Sequence, residues 1–336
     1  MPRAFTARRV AAAAAYGGGG ITVLGGITVG LVAAEARLAR RMIGATPSGD
    51  PPRADGVFGG GLPGEPLSFA MLGDSTAAGL GVHSPGETPA ALLADGLSSI
   101  SGTPVLMVNV ARSGARSEAL EDQVERALAA APQIAVIMVG ANDVTSRVRS
   151  ADAVRYLAQA VDRLRAGGSE VVVGTCPDLG SVKPLMQPLK WFARRASRQL
   201  AAAQTIAVVE RGGRSVSLGD LLGREFAADP AGMFSEDRYH PSARGYAAAA
   251  MAMLPSMAAA LALEPDDESL PDARRGEGVL PVYLAAAEAA ETPGTEVSGA
   301  RVGGHDRGPR GRWATLLRRV RRTPSAPAAH HEPHPA

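Results

Sequence analysis

Cysteine and net charge are both scarce in this chain of 336 residues, and each scarcity excludes a class of protein. The single cysteine, Cys176, excludes an internal disulfide framework and any structural zinc site built on cysteine ligands. The 35 basic residues nearly balance the 33 acidic ones, and the formal net charge of +2 gives no whole-molecule field that would attract nucleic acid. We therefore expect no nucleic-acid partner. What the chain does have is 46% hydrophobic residues, enough to build the core of one large or two small domains.

The N-terminal segment carries no charge between Arg9 and Glu35. As a helix, residues 10–34 would exceed the roughly 30 Å core of a bilayer. We therefore predict that residues 1–45 form a basic n-region and a single membrane anchor, with the remainder of the chain on the extracytoplasmic side. Two alternatives stay open: a signal cleaved at Ala34-Glu35-Ala36, which would give a secreted protein, and a soluble arm rich in Ala and Gly.

Short apolar runs alternate with longer amphipathic stretches between residues 67 and 263, after a Gly- and Pro-rich linker at 46–66. The length and β-branched content of the apolar runs predict strands at 68–73, 105–110, 134–139, 171–175 and 205–209. Helices are predicted at 89–99, 117–130, 151–166, 189–203 and 242–263. This alternation is typical of an α/β domain with a parallel sheet and helices on both faces.

The C-terminal tail, residues 264–336, has no sustained apolar period and is predicted to be disordered. Within it, residues 310–322 form a basic amphipathic segment, because Trp313, Leu316, Leu317 and Val320 would share one face of a helix. An anionic lipid surface is the partner that this segment would suit, while nucleic acid or simple solvation of the tail are the alternatives.

Three predicted strands are followed by polar or small residues, at the sheet edge where open α/β folds bind ligands. Ser75, in Gly73-Asp74-Ser75, stands at a strand-to-helix turn that would expose its hydroxyl, although a helix N-cap would look the same. Gly114 ends the segment 109–114 after the second strand, and Asn142 lies in Gly140-Ala-Asn142-Asp143 after the third. Each can donate an N–H to an oxyanion, or can serve as an ordinary turn residue.

The fourth segment, just before the last predicted helix, contains Asp237 and His240. An Asp three residues before a His can hold the imidazole in one tautomer and stabilise the imidazolium that forms when a serine gives up its proton. An N-capping Asp beside a surface His is the alternative. His83 is the other histidine of the predicted domain, and its Gly/Ser-rich surroundings favour a solvent-exposed loop.

In this order, the four segments resemble the motifs of the SGNH/GDSL hydrolase superfamily and span nearly all of residues 67–263. Thr76 departs from the family name, which calls for Leu, and Ala111 stands where Gly is common; both changes bear on the pocket lining. The resemblance implies a three-layer α/β/α fold with a flavodoxin-like sheet. It implies these site residues: Ser75 as nucleophile, His240 as base oriented by Asp237, an oxyanion hole formed by the amides of Ser75 and Gly114 and the side chain of Asn142, and motif support from Gly73, Asp74 and Gly140.

These observations predict a serine esterase or acyl hydrolase that cleaves a carboxylic ester and needs no cofactor or metal. Small-molecule, lipid and polysaccharide esters would all use the same groups, so the sequence leaves the substrate open, as it does the oligomeric state. The alternatives are a non-catalytic binding or scaffold protein with this fold, and an acyltransferase acting on cell-envelope sugars.

Overall fold

The computed structural model describes residues 49–182, 185–218, 229–263, 271–292, 294–300 and 313–318. The predicted N-terminal anchor, residues 1–45, lies outside the described residues, as does most of the basic segment at 310–322. Among the helices of the described part, none is long and apolar enough to span a bilayer.

The described residues form one nine-stranded sheet in the order β1-β3-β2-β4-β5-β6-β8-β9-β7. The five central strands pair in parallel, in the order β3-β2-β4-β5-β6, and the strands at either edge pair antiparallel. The parallel order is that of flavodoxin-like folds, which confirms the predicted architecture. The strands are β1 (Gly56–Phe58), β2 (Leu67–Gly73), β3 (Val105–Asn109), β4 (Ile134–Met138), β5 (Glu170–Gly174), β6 (Arg214–Val216), β7 (Gly278–Pro281), β8 (Thr295–Ala300) and β9 (Trp313–Arg318).

Helices cover both faces of the sheet and complete the three layers. They are α1 (Ser75–Ala78), α2 (Pro89–Ser101), α3 (Leu120–Leu128), α4 (Ala141–Thr145), α5 (Ser150–Ala166), α6 (Leu189–Val209), α7 (Pro230–Met233), α8 (Ala243–Ala260) and α9 (Val282–Glu291). Successive residues of a strand point to opposite faces, so Phe69 and Met71 pack beneath α2 and α8 while Ala70 and Leu72 pack beneath α3 and α5. The central strands are therefore buried on both sides, as their continuous apolar runs predicted.

Two of the predictions about secondary structure are wrong. Residues 205–209, predicted as a strand, are the last residues of α6, because the Ala-rich helix before them continues to Val209. A turn with Gly212 and Gly213 follows, and the strand β6 begins only at Arg214. The linker predicted at 46–66 contributes β1, which pairs antiparallel with the edge strand β3.

The prediction of a disordered tail is also wrong for the described residues beyond 270. Strand β8 extends the sheet by pairing with β6, and β9 and β7 follow it outwards. The helix α9 covers these strands, and Val297, Ala314 and Leu316 are buried in a small core to which the end of α6 also contributes Val209. The spacing of Trp313, Leu316 and Leu317 fits a helix in so short a window, but in the structure these residues belong to β9.

Candidate active site

The candidate site lies where the order of the parallel strands reverses, between β2 and β4. The chain leaves β2 toward β3 on one side and returns to β4 on the other, so the connections after β2 and β4 diverge and leave a crevice. Ser75 begins α1 directly after β2, and Asn142 lies in α4 directly after β4. His240 reaches the same place from the loop that precedes α8.

Gly73 fixes the sharp turn that places Ser75 at the sheet edge. Its φ of 138° is one that glycine adopts readily and other residues rarely do, and a Cβ at this position would lie 1.9 Å from the Met138 carbonyl oxygen. The buried side chain of Gln123 holds both polar groups of the Gly73 backbone: Gly73 N donates to Oε1 at 2.7 Å, and Nε2 donates to the Gly73 carbonyl at 2.9 Å. The turn is thus held by β4 on one side and by α3 on the other.

Ser75, His240 and Asp237 are joined by a continuous chain of hydrogen-bonding contacts. Ser75 Oγ lies 3.0 Å from His240 Nε2, and His240 Nδ1 lies 2.6 Å from Asp237 Oδ2. All three residues are buried, which excludes most of the water that would compete for these contacts. The structure therefore brings together the serine, histidine and aspartate that the sequence analysis selected separately.

Asp237 is anchored by its second carboxylate oxygen. Oδ1 accepts from Ser235 Oγ at 2.7 Å and from the amides of Tyr239 and His240, both at 2.9 Å. Burial opposes ionisation of this carboxyl, but the hydrogen bonds from His240, Ser235 and Tyr239 outweigh it and hold the pKa of Asp237 well below its usual range. The carboxylate is accordingly charged at neutral pH and able to stabilise a protonated imidazole.

Asp74, the residue before Ser75, helps to position it by capping a helix. Its carboxylate accepts the Thr76 amide at 2.9 Å and so caps α1, the helix that Ser75 begins. The side chain is almost fully buried, and burial raises the pKa of Asp74 to about 6. This second buried carboxyl was assigned only motif support from the sequence, and its unusual ionisation was not predicted.

The two predicted oxyanion donors lie on connected segments. Asn142 Nδ2 donates to the Ala115 carbonyl at 3.0 Å, which ties α4 to the residue after Gly114. An amide nitrogen has two hydrogens, so one N–H of Asn142 is left for a ligand. Gly114 has a left-handed φ of 76°, with open space where a Cβ would point. Gly140, also at positive φ, packs against Cys176 and starts α4.

The loop that carries Gly114 is held by residues without a predicted role. Asp143 accepts from both the amide and the hydroxyl of Ser117, at 3.1 and 2.9 Å. Asn109 contributes at the start of the loop, since its Nδ2 donates to the Ala77 carbonyl at 3.1 Å. These bonds connect the three strand-end segments to one another and fix their relative positions.

A small pocket opens beside Ser75 and His240. Its walls are largely apolar, and they include Met138, Val139, Ala141, Pro177, Leu179, Val182, Leu218, Tyr239 and Ala249. Tyr239 stacks edge-on against the His240 ring, with the centroids 4.8 Å apart. Cys176 is buried, and burial raises the pKa of its thiol. His83 is exposed, as predicted.

Residues 71–248 match the model of the GDSL-like lipase/acylhydrolase family. A GDSL-like esterase of Mycobacterium tuberculosis (strain ATCC 25618 / H37Rv) is 44% identical over 212 residues, which is 60% of this chain and 67% of that protein. Among solved structures, an acetylxylan esterase of Geobacillus stearothermophilus has a TM-score of 0.47 at 20% identity, over 57% of this chain and 94% of that one. A lipolytic G-D-S-L family protein of Veillonella parvula DSM 2008 has a TM-score of 0.43 at 22% identity, over 56% and 97% of the two chains.

Proposed function

Since the chain belongs to the GDSL-like lipase/acylhydrolase family and is an ester-cleaving serine hydrolase, we propose that Ser75 is its nucleophile, His240 its general base and Asp237 the residue that orients the base. The observation that carries this proposal is the hydrogen-bonded chain from Ser75 Oγ through the His240 ring to Asp237. No other residue pair of the pocket offers a hydroxyl within hydrogen-bond distance of an imidazole in the described part of the chain.

In the first half of the reaction, Ser75 Oγ attacks the carbonyl carbon of a carboxylic ester and its proton passes to His240 Nε2, 3.0 Å away. The tetrahedral intermediate then expels the alcohol, whose oxygen takes the proton from His240. An acyl group remains on Ser75. Asp237 keeps Nδ1 protonated and facing away from the substrate, so that Nε2 is the atom that exchanges protons.

In the second half, water takes the place of the alcohol. His240 removes a proton from water, the hydroxide attacks the acyl carbon, and Ser75 leaves with the proton that His240 returns. The products are a carboxylic acid and an alcohol, and no cofactor or metal takes part.

Negative charge develops on the carbonyl oxygen in both halves. We assign its stabilisation to the backbone amides of Ser75 and Gly114 and to the Asn142 side chain, because Asn142 is bonded to the residue that follows Gly114. Gly73 and Gly140 support this arrangement through the turns they form, and Asp74 supports it by capping the helix that Ser75 begins.

The apolar pocket supports an ester whose acyl or alcohol part is uncharged. Residues 1–45 remain part of the proposal as a membrane anchor or export signal that places the enzyme outside the cytoplasm.

The proposal is tested with a series of p-nitrophenyl esters of increasing acyl length and three variants of the full chain. Ser75→Ala and His240→Ala should each lower kcat by more than about 1000-fold on every ester, because the residues of a catalytic triad act together and the loss of one removes most of the effect of all three. Ser99→Ala is the matched control, because this exposed serine on α2 only bonds the helix backbone. Ester hydrolysis by Ser75→Ala at the rate of the Ser99→Ala control would contradict the assignment.

A further inference from the structure

The first turn of α6 and the residues just before it expose three large apolar side chains. Met186, Trp191 and Phe192 are 62%, 52% and 45% exposed, and we refer to them as the apolar patch. The Trp191 and Phe192 rings pack edge to face with their centroids 4.9 Å apart, so they present one joined aromatic surface. Exposed apolar surface of this kind is typical of a contact with a partner or a membrane.

The segment that carries the apolar patch is basic in sequence, although Arg198 also pairs with the exposed Glu291. Residues 179–209 contain five basic residues and no acidic one: Lys183, Lys190, Arg194, Arg195 and Arg198. Arg194 and Arg198 are both bound to the buried Asp178, each with Nε 3.1 Å from Oδ2. Within the described part of the chain, no carboxylate forms an ion pair with Lys190 or Arg195. The guanidinium of Arg195 instead lies 5.9 Å from the centre of the Trp191 ring.

The apolar patch also borders the candidate active site. Leu185 and Ala193, the chain neighbours of Met186 and Phe192, pack against the buried cluster of Ala141, Leu179 and Val182. The last three residues line the pocket beside Ser75 and His240. The same short segment therefore turns one side toward the pocket wall and the other toward solvent.

We propose that the apolar patch, with Lys190 and Arg195, docks this protein on the surface of an anionic lipid bilayer with the active-site pocket near the headgroups. Tryptophan and phenylalanine favour the membrane interface, and basic side chains beside them pair with anionic headgroups. A second copy of the chain would bring Lys190 and Arg195, which have no carboxylate partner among the described residues, face to face with themselves, so charge argues against self-association through this surface. The docking is separate from the proposed catalytic chemistry and does not require turnover.

The chain has two tryptophans, Trp191 and Trp313, which makes the docking measurable in the full protein whatever the N-terminal segment does. In Trp313→Phe, Trp191 is the only tryptophan. Its emission should shift to the blue on vesicles of phosphatidylglycerol and phosphatidylcholine, and lipids brominated in the upper acyl chain should quench it. In the reciprocal variant Trp191→Phe, the remaining Trp313 should show neither effect. If Trp313→Phe does not fold, the wild-type signal minus that of Trp191→Phe gives the same quantity.

Charge is tested with Lys190→Gln/Arg195→Gln. Each basic residue near an anionic surface contributes about 1 kcal/mol, so the ratio of docked to undocked Trp191 emission on anionic vesicles should fall about 30-fold, and high salt should have a similar effect in the wild type. The control Arg126→Gln/Arg155→Gln removes two exposed arginines from α3 and α5 and should leave it unchanged. Hydrolysis of a small soluble ester should be normal in both double variants.

Two outcomes would overturn the proposal. Vesicles that bind the protein without shifting or quenching Trp191 would mean that another segment makes the contact. A shift of Trp191 with a soluble acetylated oligosaccharide, but not with anionic vesicles, would instead identify a sugar-binding surface.

Discussion

Asp74→Asn should make the folded protein more stable at neutral pH, although Asp74 belongs to the Gly73-Asp74-Ser75 motif. The Asn side chain keeps an oxygen that can accept the Thr76 amide, now 2.9 Å from the carboxylate, and so preserves the cap of α1. What it removes is a buried charge. Burial is the main reason that the pKa of Asp74 is raised, and the nearby carboxyl of Asp143 adds to it, while the Thr76 amide and His240 oppose it.

The magnitude follows from the pKa. A rise from 3.8 to about 6 corresponds to about 3 kcal/mol against the charged form in the folded protein. Between about pH 4 and pH 6, the folded chain holds a proton that the unfolded chain has released, so stability from this group falls as the pH rises through that interval. Below pH 4 the buried Asp74 carboxyl destabilises the folded protein little, and above pH 6 it does so by the full amount. The Asp237 carboxyl, whose pKa is lowered, loses its stabilising effect only at pH values below this interval.

The assay is urea unfolding of wild type and Asp74→Asn at pH 4 and pH 7.5. The two proteins should have similar free energies of unfolding at pH 4, and the variant should be more stable by about 3 kcal/mol at pH 7.5. A variant that is less stable at both pH values by the same amount would refute the reasoning, because the carboxylate would then contribute through its hydrogen bond rather than suffer from burial.

Three further results are expected. Asn142→Ala should lower kcat about 100-fold with little change in KM, as measured by steady-state ester hydrolysis; an unchanged kcat would remove Asn142 from the oxyanion hole. Gly73→Ala should yield little soluble protein, because its Cβ would lie 1.9 Å from a backbone oxygen, and a normally soluble and active variant would contradict the described turn. Leu316→Ala should lower the free energy of unfolding by about 2–5 kcal/mol in a urea titration, as for a fully buried leucine, whereas no change would favour the disordered tail expected from the sequence.

The sequence predicted the centre of the fold and the site because both depend on local patterns. Parallel strands that are buried on both faces have continuous apolar runs in the sequence, and the residues that follow such strands meet at one edge of the sheet. Ser75 and Asn142 could be selected on that ground alone. His240 lies 165 residues beyond Ser75, and it was selected because the predicted domain has few histidines and Asp237 stands three residues before it.

What the sequence analysis missed depends on contacts between distant residues. Gln123 was not selected, yet the pattern held a signal, because it shares the buried face of α3 with Leu120, Val124 and Ala127. A polar residue on an apolar helix face must find a buried partner, and here the partner is the Gly73 backbone. The C-terminal strands gave a weaker signal. In β9 the six residues from Trp313 to Arg318 fit a helical period and a strand period about equally well, and only pairing with β8 decides between them.

Labelling with a fluorophosphonate tests the central claim most directly, because the reagent forms a bond with a serine only where that serine is activated as a nucleophile. The full chain, Ser75→Ala and Ser99→Ala are treated at pH 7.5, and the modified peptide is identified by mass spectrometry. We expect one adduct on Ser75 in the wild type and in Ser99→Ala, and no adduct in Ser75→Ala. An equal yield of adduct in Ser75→Ala, or an adduct on a different serine that abolishes ester hydrolysis, would contradict the account.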